Sequence, residues 1–434
     1  MTDEKVLASN ERGNKKIGLN HILLIALYVC VFLAFLSDSL WVFLGPVMAV
    51  LCVYLYFTGF PELITALIIV ANDAMGTVFR GSISFPYLLL AMALLRFVLY
   101  KRKIKISEIL FFAVALVLLG ELWMVDLIEI RSVIYSMSFI MGFLALSRDD
   151  DWSQCFSRGI IIAVALISLH ALITGGIEFT ELKAMGSNQI IVRYGVLGVG
   201  IGDPNFSSFL INIGLACTLG DKKMHWFIKA LLSVLFFSTL AITVSVSGVI
   251  AAMVILVLFI MLRSRLRKGL LILCIALIAL ILAFGIYFEL PTEMRNSALD
   301  GYLARIEGAL SMLSAGDLSG ATSNRSSIFE HYFTYITTQP LLGFLFGGNP
   351  LKIEGHDMPH NTYVGFLLQV GFIATVGLIF WIVWQIRANL KKPREDLCRM
   401  RNLLLKALCL MMAFTLSFYE GSLWALWMYF VFLL

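Results

Sequence analysis

Long unbroken runs of apolar residues, separated by short polar or basic stretches, set the pattern of this chain. Such runs predict helices that satisfy their own backbone hydrogen bonds in lipid. Strands of a membrane barrel would instead alternate apolar and polar positions. The pattern predicts spans near 19–36, 40–57, 62–78, 85–100, 108–125, 131–147, 156–175, 204–220, 226–245, 247–263, 269–289, 361–386, 402–418 and 420–434. Two divisions are inferred. The apolar stretch from Trp226 to Leu262 is too long for one crossing, since about 20 residues suffice. Basic residues at both ends require a hairpin, and Ser245-Val246-Ser247-Gly248 is its weak point. The last stretch divides at Tyr419-Glu420-Gly421-Ser422 on similar grounds. No A-x-A-like site follows the first apolar run, so Leu19 to Leu36 is read as a span and not as a cleaved signal.

The expected fold class is an all-α polytopic membrane protein with about 12–14 transmembrane helices and a partly helical extracytoplasmic cap. Its expected divisions are a cytoplasmic N-terminal segment (1–18), a transmembrane bundle (19–289) with an outer loop at 176–203, a cap loop (290–360) and C-terminal transmembrane helices (361–434). Long loops of this kind are usually functional or disordered, and the cap shows order. Leu299, Leu303, Ile306, Leu310 and Leu313 recur at helical spacing. After 314–323 a second helix is expected near Ser327, with Glu330 as its capping-box partner and Ile328, Phe329, Tyr332 and Ile336 facing inward. It stops before Pro340, and Gly343, Gly347 and Gly348 predict a flexible return to the membrane.

Composition agrees with the pattern. The 434 residues are 60% hydrophobic and 14% charged, whereas roughly a quarter of ordinary globular sequence is charged. The net charge of +5 does not point to nucleic acid, because the basic residues sit in short clusters between spans. With the N-terminus inside, only eight of the 33 Lys and Arg fall outside: Arg80, Arg131, Lys183, Arg193, Arg295, Arg305, Arg325 and Lys352. The expected location is therefore a bacterial inner (plasma) membrane, with the chemistry extracytoplasmic. None of the seven cysteines falls in an outer loop, so no disulfide framework is expected there. Nor do any two cysteines have metal-ligand spacing.

Arginines outside run against the inward bias, so each needs a reason. Arg193 precedes Gly195, Gly198, Gly200 and Gly202, which lead into Asp203-Pro204-Asn205. A forked guanidinium beside glycine backbone suits a phosphate or diphosphate; a headgroup-facing arginine is the plainer reading. Asp203 with Pro204 is a helix start, and a helix start is also an anion site. Arg325 opens the second cap helix, on the unfavourable side of the helix dipole, which makes it a better ligand contact than Arg305. The plainer reading of Arg305 is a snorkelling interfacial residue. His360 stands in Pro359-His360-Asn361 at the junction of cap and span and titrates near neutral pH, as a general base does. A helix-start histidine bonded to backbone is the alternative. His356 is placed to support it, and Tyr363 follows it into the span. Asp73, Glu121 and Glu420 sit near outer span ends, as cavity-lining or interface acids.

Taken in order, these residues resemble the O-antigen ligase and O-antigen or capsular polysaccharide polymerase superfamily. The resemblance covers about 193–379 and is carried by Arg325, Phe329 where the family usually has Trp, Pro340-Leu341-Leu342-Gly343, and Pro359-His360-Asn361-Thr362-Tyr363 running to Gly371. Arg193 with Asp203-Pro204-Asn205 looks like the family's earlier outer-loop signature. One departure is Val246 after Ser245, where the family often has Ser-Arg.

The resemblance implies a GT-C-like, metal-independent glycosyltransferase with no cofactor. It would use a glycan on a polyprenyl diphosphate carrier and an acceptor glycan at the outer leaflet of the lipid bilayer, with a chain-length regulator as a further partner. It implies Arg193 and Arg325 at the diphosphate, His360 as the base that activates the acceptor hydroxyl, and Asp203, Asn205, His356, Asn361, Arg305 and Tyr363 around the substrates. Polymerase is the first reading and ligase the alternative. A polysaccharide or lipid transporter, which would place ionisable residues mid-span, ranks next, and a non-catalytic scaffold last.

Overall fold

A computed structural model describes residues 18–36, 40–75, 83–100, 104–124, 128–146, 152–184, 204–243, 245–263, 325–349, 361–393, 398–416 and 421–432, with 308, 311–312, 314–316, 359, 396 and 418. The regular elements among them are all helices. In chain order these are α1 (Leu19–Leu36), α2 (Trp41–Thr58), α3 (Pro61–Met75), α4 (Phe85–Tyr100), α5 (Ile106–Met124), α6 (Ile130–Ala145), α7 (Trp152–Ala184) and α8 (Pro204–Gly220). There follow α9 (Trp226–Thr243), α10 (Val246–Arg263), α11 (Arg325–Thr338), α12 (Leu341–Phe346), α13 (Thr362–Lys391), α14 (Arg399–Met412) and α15 (Gly421–Phe432). Four of them are long and apolar enough to cross a membrane, and several more are shorter apolar helices. The chain is an all-α polytopic membrane protein.

Helix α8 is the axis of the bundle. It begins with Pro204, which fixes a helical φ at a position that needs no N–H donor. From Ser207 to Asp221 its side chains are buried, because α7, α9, α10 and α14 enclose it. Small residues allow this close packing, as is usual where van der Waals contact and not water drives helices together. A Cβ on Gly214 would lie 2.7 Å from Val164 Cγ1, and one on Gly220 would lie 2.5 Å from Arg401 Cα. A second group packs α3 on α7, α4 on α6, and α15 on α6, α14 and α3. Large apolar side chains such as Phe43, Val117 and Phe380 are exposed, at 75%, 64% and 70%, and form the lipid-facing surface of the bundle.

The inferred break in the long apolar stretch lies where the sequence places it: α9 ends at Thr243 and α10 starts at Val246. Ser245 caps α10 by accepting from Gly248 N at 3.2 Å. Three elements differ from expectation. Helix α7 continues to Ala184, into the stretch expected as the 176–203 loop, because hydropathy marks the membrane while the helix runs on past it. Helix α14 ends at Met412 and not near 418, giving way to turns at 413–415. Helix α11 starts at Arg325, two residues before the expected Ser327, so Glu330 is not the third residue after a capping serine. The expected span at 269–289 lies outside the described residues; of the first cap helix, only 308, 311–312 and 314–316 are described.

The return from α11 to the membrane is a docked element and not a flexible one. Helix α13 has a break at Gly371 (φ 78°, ψ 177°), a backbone region that only glycine readily enters. The break leaves carbonyls without their usual helical donors, and the turn after α12 supplies replacements. Gly348 N donates to Gln369 O (3.0 Å) and Asn349 N to Leu368 O (3.1 Å). Gly347 and Gly371 approach each other so closely that a Cβ on either would overlap the other's backbone.

Candidate functional site

The starts of α8, α10 and α13 meet at one end of the bundle. At α8, Asn205 is 5% exposed, and its Oδ1 accepts from Ser245 Oγ (2.8 Å) and Ser247 Oγ (3.1 Å). Ser208 Oγ donates to Asn205 O and stands 3.2 Å from Ser245 Oγ. One turn deeper, Asn212 Nδ2 donates to Gly248 O at 2.9 Å. Apart from the Ser208–Asn205 bond within α8, these contacts join α8 to the α9–α10 break and the first turn of α10, so the residue after Pro204 is held by neighbours about forty positions away in sequence.

At α13, Asn361 is extended (φ −156°, ψ 116°) and caps the helix, its Oδ1 accepting from Tyr363 N at 2.9 Å and Val364 N at 3.1 Å. Thr362 reaches across to the link between α14 and α15. Its Oγ1 donates to Leu416 O (2.6 Å) and accepts from Phe418 N (3.2 Å), while its own N–H donates to Ala413 O (2.8 Å). Tyr363 OH donates to Leu410 O at 3.0 Å.

Phe418 joins the two starts. Its ring lies 5.8 Å from that of Phe206 and 4.8 Å from that of Phe209 on α8, and stacks on Trp427 of α15 at 5.7 Å. Trp427 in turn contacts Phe366 of α13 at 5.9 Å. Such aromatic pairs add about 0.5–1.5 kcal/mol each beyond their buried area. Gly421 N donates to Ser136 Oγ (2.7 Å), fixing the same link to α6. The segments that follow Asp203 and His360 are thus tied to one rigid aromatic hub.

A third element closes one side. Helix α11 turns Ile328, Tyr332, Tyr335 and Ile336 onto Leu122 of α5 and Val364 and Leu368 of α13. The expected inward face is seen at Ile328, Tyr332 and Ile336. Below it, Gln369 Nε2 donates to Leu118 O at 2.7 Å and its side chain is bonded to Glu121.

Of the sequence candidates, Asn205, Asn361 and Tyr363 are described in full. Their bonded polar atoms belong to the frame: the Oδ1 atoms of Asn205 and Asn361 hold helix starts, and the Tyr363 hydroxyl is turned toward α14. Arg325 is described as the first residue of α11, without its side chain. His360, His356, Arg193, Asp203 and Arg305 lie outside the described residues, as does Glu420; the side chain of Asp73 does too. Ser245, Thr362, Gln369 and Phe418 were not singled out as site residues from sequence. Ser245 and Thr362 carried a signal, a hydroxyl at a helix start beside a candidate motif; Gln369 and Phe418 carried none.

Residues 231–381 match the family model described as O-antigen ligase. The matched stretch runs from α9 into α13 and includes Ser245, Arg325, Pro340 and the Pro359–Tyr363 run; Arg193 and Asp203 lie before it. No curated protein matches the chain. The chain is a polytopic helical membrane protein whose residues 231–381 are similar to the O-antigen ligase family, and this match supports the O-antigen ligase and polymerase superfamily.

Proposed function

We propose that this protein is a metal-independent glycosyltransferase of polysaccharide assembly. It takes a glycan from a polyprenyl diphosphate carrier, undecaprenyl diphosphate as the first choice, and joins it to a sugar hydroxyl of another lipid-linked glycan. The observation that supports this reading most directly is the aromatic and hydrogen-bonded hub at Phe418, which unites the chain just after Asp203 with the chain just after His360. The described parts of two candidate motifs far apart in sequence thereby lie at one end of the bundle, the proposed mouth of the site, and the basic-residue bias of the loops favours that end as the extracytoplasmic one.

In this mechanism the acceptor oxygen attacks the anomeric carbon while His360 removes its proton. The bond from that carbon to the diphosphate breaks, and the electron pair leaves with the diphosphate. Arg193 and Arg325 neutralise the departing charge, the task a metal ion performs elsewhere.

A second reading is ligation to a different acceptor, and the match to a family described as O-antigen ligase agrees with either. Purified protein reconstituted with a lipid-linked repeat unit separates the two. A ladder of lengthening products identifies the polymerase, and product formed only when a separate acceptor is added identifies the ligase. Absence of transfer under both conditions would count against the glycosyltransferase reading.

A further inference from the structure

The exposed chemistry of the polypeptide changes abruptly between α11 and α12. On α11 the exposed side chains are mostly polar, Glu330, His331, Thr334, Thr337 and Thr338, with one large apolar exception, Phe333 at 59%. On α12 they are Leu341 (70% exposed), Leu342 (70%) and Phe346 (63%). An apolar cluster of this kind is out of place on a water-facing cap. Its position explains it. Phe344 stacks on Phe372 of α13 at 5.3 Å, and the turn after α12 is bonded to Leu368 and Gln369. Arg387 and Lys391 mark the basic end of α13. Counting back from Arg387 the roughly 20 residues that cross a bilayer reaches about position 367. The part of α13 that α12 touches therefore lies within the hydrocarbon. Exposed Phe372 and Ile373 continue the apolar face of α12 onto α13.

From Phe344 to Asn349 the backbone N–H groups meet the condition that lipid imposes. Non-helical chain is tolerated at membrane depth only where its polar groups find protein partners. Phe344 N donates to Pro340 O, Gly347 N to Gly343 O, Gly348 N to Gln369 O, and Asn349 N to Leu368 O. The Asn349 side chain donates to Gly343 O at 3.0 Å. The carbonyls of Leu368 and Gln369 are available because the break at Gly371 removes their helical donors.

We propose that residues 340–349 form a re-entrant hairpin embedded in the bilayer beside α13, with lipid acyl chains covering Leu341, Leu342 and Phe346. The hairpin then forms a lipid-facing wall beneath α11, which keeps its water-exposed face. This holds whichever transfer reaction the protein performs.

The test uses the full chain with Leu342→Cys, Leu341→Cys or Glu330→Cys, labelled with bimane and reconstituted into phosphatidylcholine vesicles; the unsubstituted chain sets the background. Acyl-chain nitroxide lipids should quench the probes at 341 and 342 several-fold more than iodide does, and the order should reverse at 330. Quenching by iodide at 342 equal to that at 330 would return the hairpin to the aqueous cap and overturn the proposal. Quenching by neither reagent would mean that protein, such as a second copy of the chain, covers the patch, and would overturn it equally. Two adjacent positions keep the test decisive if one variant fails to elute as a folded species.

Discussion

Replacing Gly371 by alanine tests whether the break in α13 and the docked turn form one unit. At φ 78° and ψ 177° an alanine is strained by about 1–3 kcal/mol. Its Cβ would fall 2.5 Å from Gly347 N and against Leu345 O, so the hairpin must move. That loses the bonds from Gly348 N and Asn349 N, each worth about 0.6 kcal/mol between membrane segments. The sum is a destabilisation of about 2–4 kcal/mol. Gly377 is the internal control, being helical in α13 with open space for 4 Å around the place a methyl group would take. Gly377→Ala is therefore expected to stabilise slightly, by up to about 1 kcal/mol from helix propensity. Unfolding free energies by SDS titration in bicelles measure both, and amide exchange over 341–349 reports the hairpin. Two results would refute the reasoning: equal effects of the two substitutions, or a destabilised Gly371→Ala variant whose hairpin keeps its exchange protection.

At the basic end of the bundle, Asp221 accepts from Gln154 Nε2 (3.2 Å), Arg158 Nε (3.1 Å) and Lys223 N (2.8 Å). Because the Arg158 side chain is 45% exposed, Arg158→Ala should cost below about 1 kcal/mol, while Asp221→Ala strands buried donors and should cost about 1–3 kcal/mol; equal losses in thermal unfolding would contradict this. At the mouth, Ser245→Ala removes a cap worth about 1 kcal/mol and a bond to Asn205, so it should destabilise more than Ser247→Ala, and the reverse order would be evidence against the frame described. His360→Ala should abolish glycan transfer while insertion in the membrane persists, and normal product from that variant would eliminate the base. Arg193→Lys should slow turnover although its charge remains, because the bidentate fork is lost; an unchanged rate on lipid-linked substrate would remove it from the diphosphate site.

How far sequence carried depended on whether a feature leaves a local signature. The break at Ser245 was legible because a serine-glycine run interrupts apolar residues and basic flanks demand an even number of crossings. The inward face of α11 was legible from periodicity, and Tyr332 and Ile336 are buried as that spacing requires. Gly371 was not legible as a break, since nothing local separates it from Gly377 in the same helix. Only the partner turn, more than twenty residues earlier, makes one a break and the other ordinary helix. Phe418 was hidden for a related reason. A phenylalanine in an apolar stretch has no distinguishing neighbours, and its importance lies in contacts with Phe206, Phe209 and Trp427. The extension of α7 to Ala184 was missed because the residues past Gly175 lose hydropathy without losing helix.

The frame at the mouth is built from uncharged groups: Asn205, Ser245, Thr362, Phe418 and Trp427 hold it by hydroxyls, amides and rings. Neutral groups suit a frame at membrane depth, because their desolvation is met by a few hydrogen bonds, whereas unpaired charges there are expensive. A diphosphate brought to such a mouth needs its counter-charge from side chains that are not structural, and Arg193 and Arg325 are the proposed sources. Structure and chemistry are then separable. Ser245→Ala should lower stability, with transfer falling only as folded protein is lost. Arg325→Ala should leave the unfolding midpoint near that of the parent while transfer falls by orders of magnitude, the scale on which removing one charge-stabilising donor acts in a polar transition state. Measuring both quantities on both variants decides the matter. An Arg325→Ala protein as destabilised as Ser245→Ala, with activity lost in proportion to folded protein, would show that the arginine belongs to the frame.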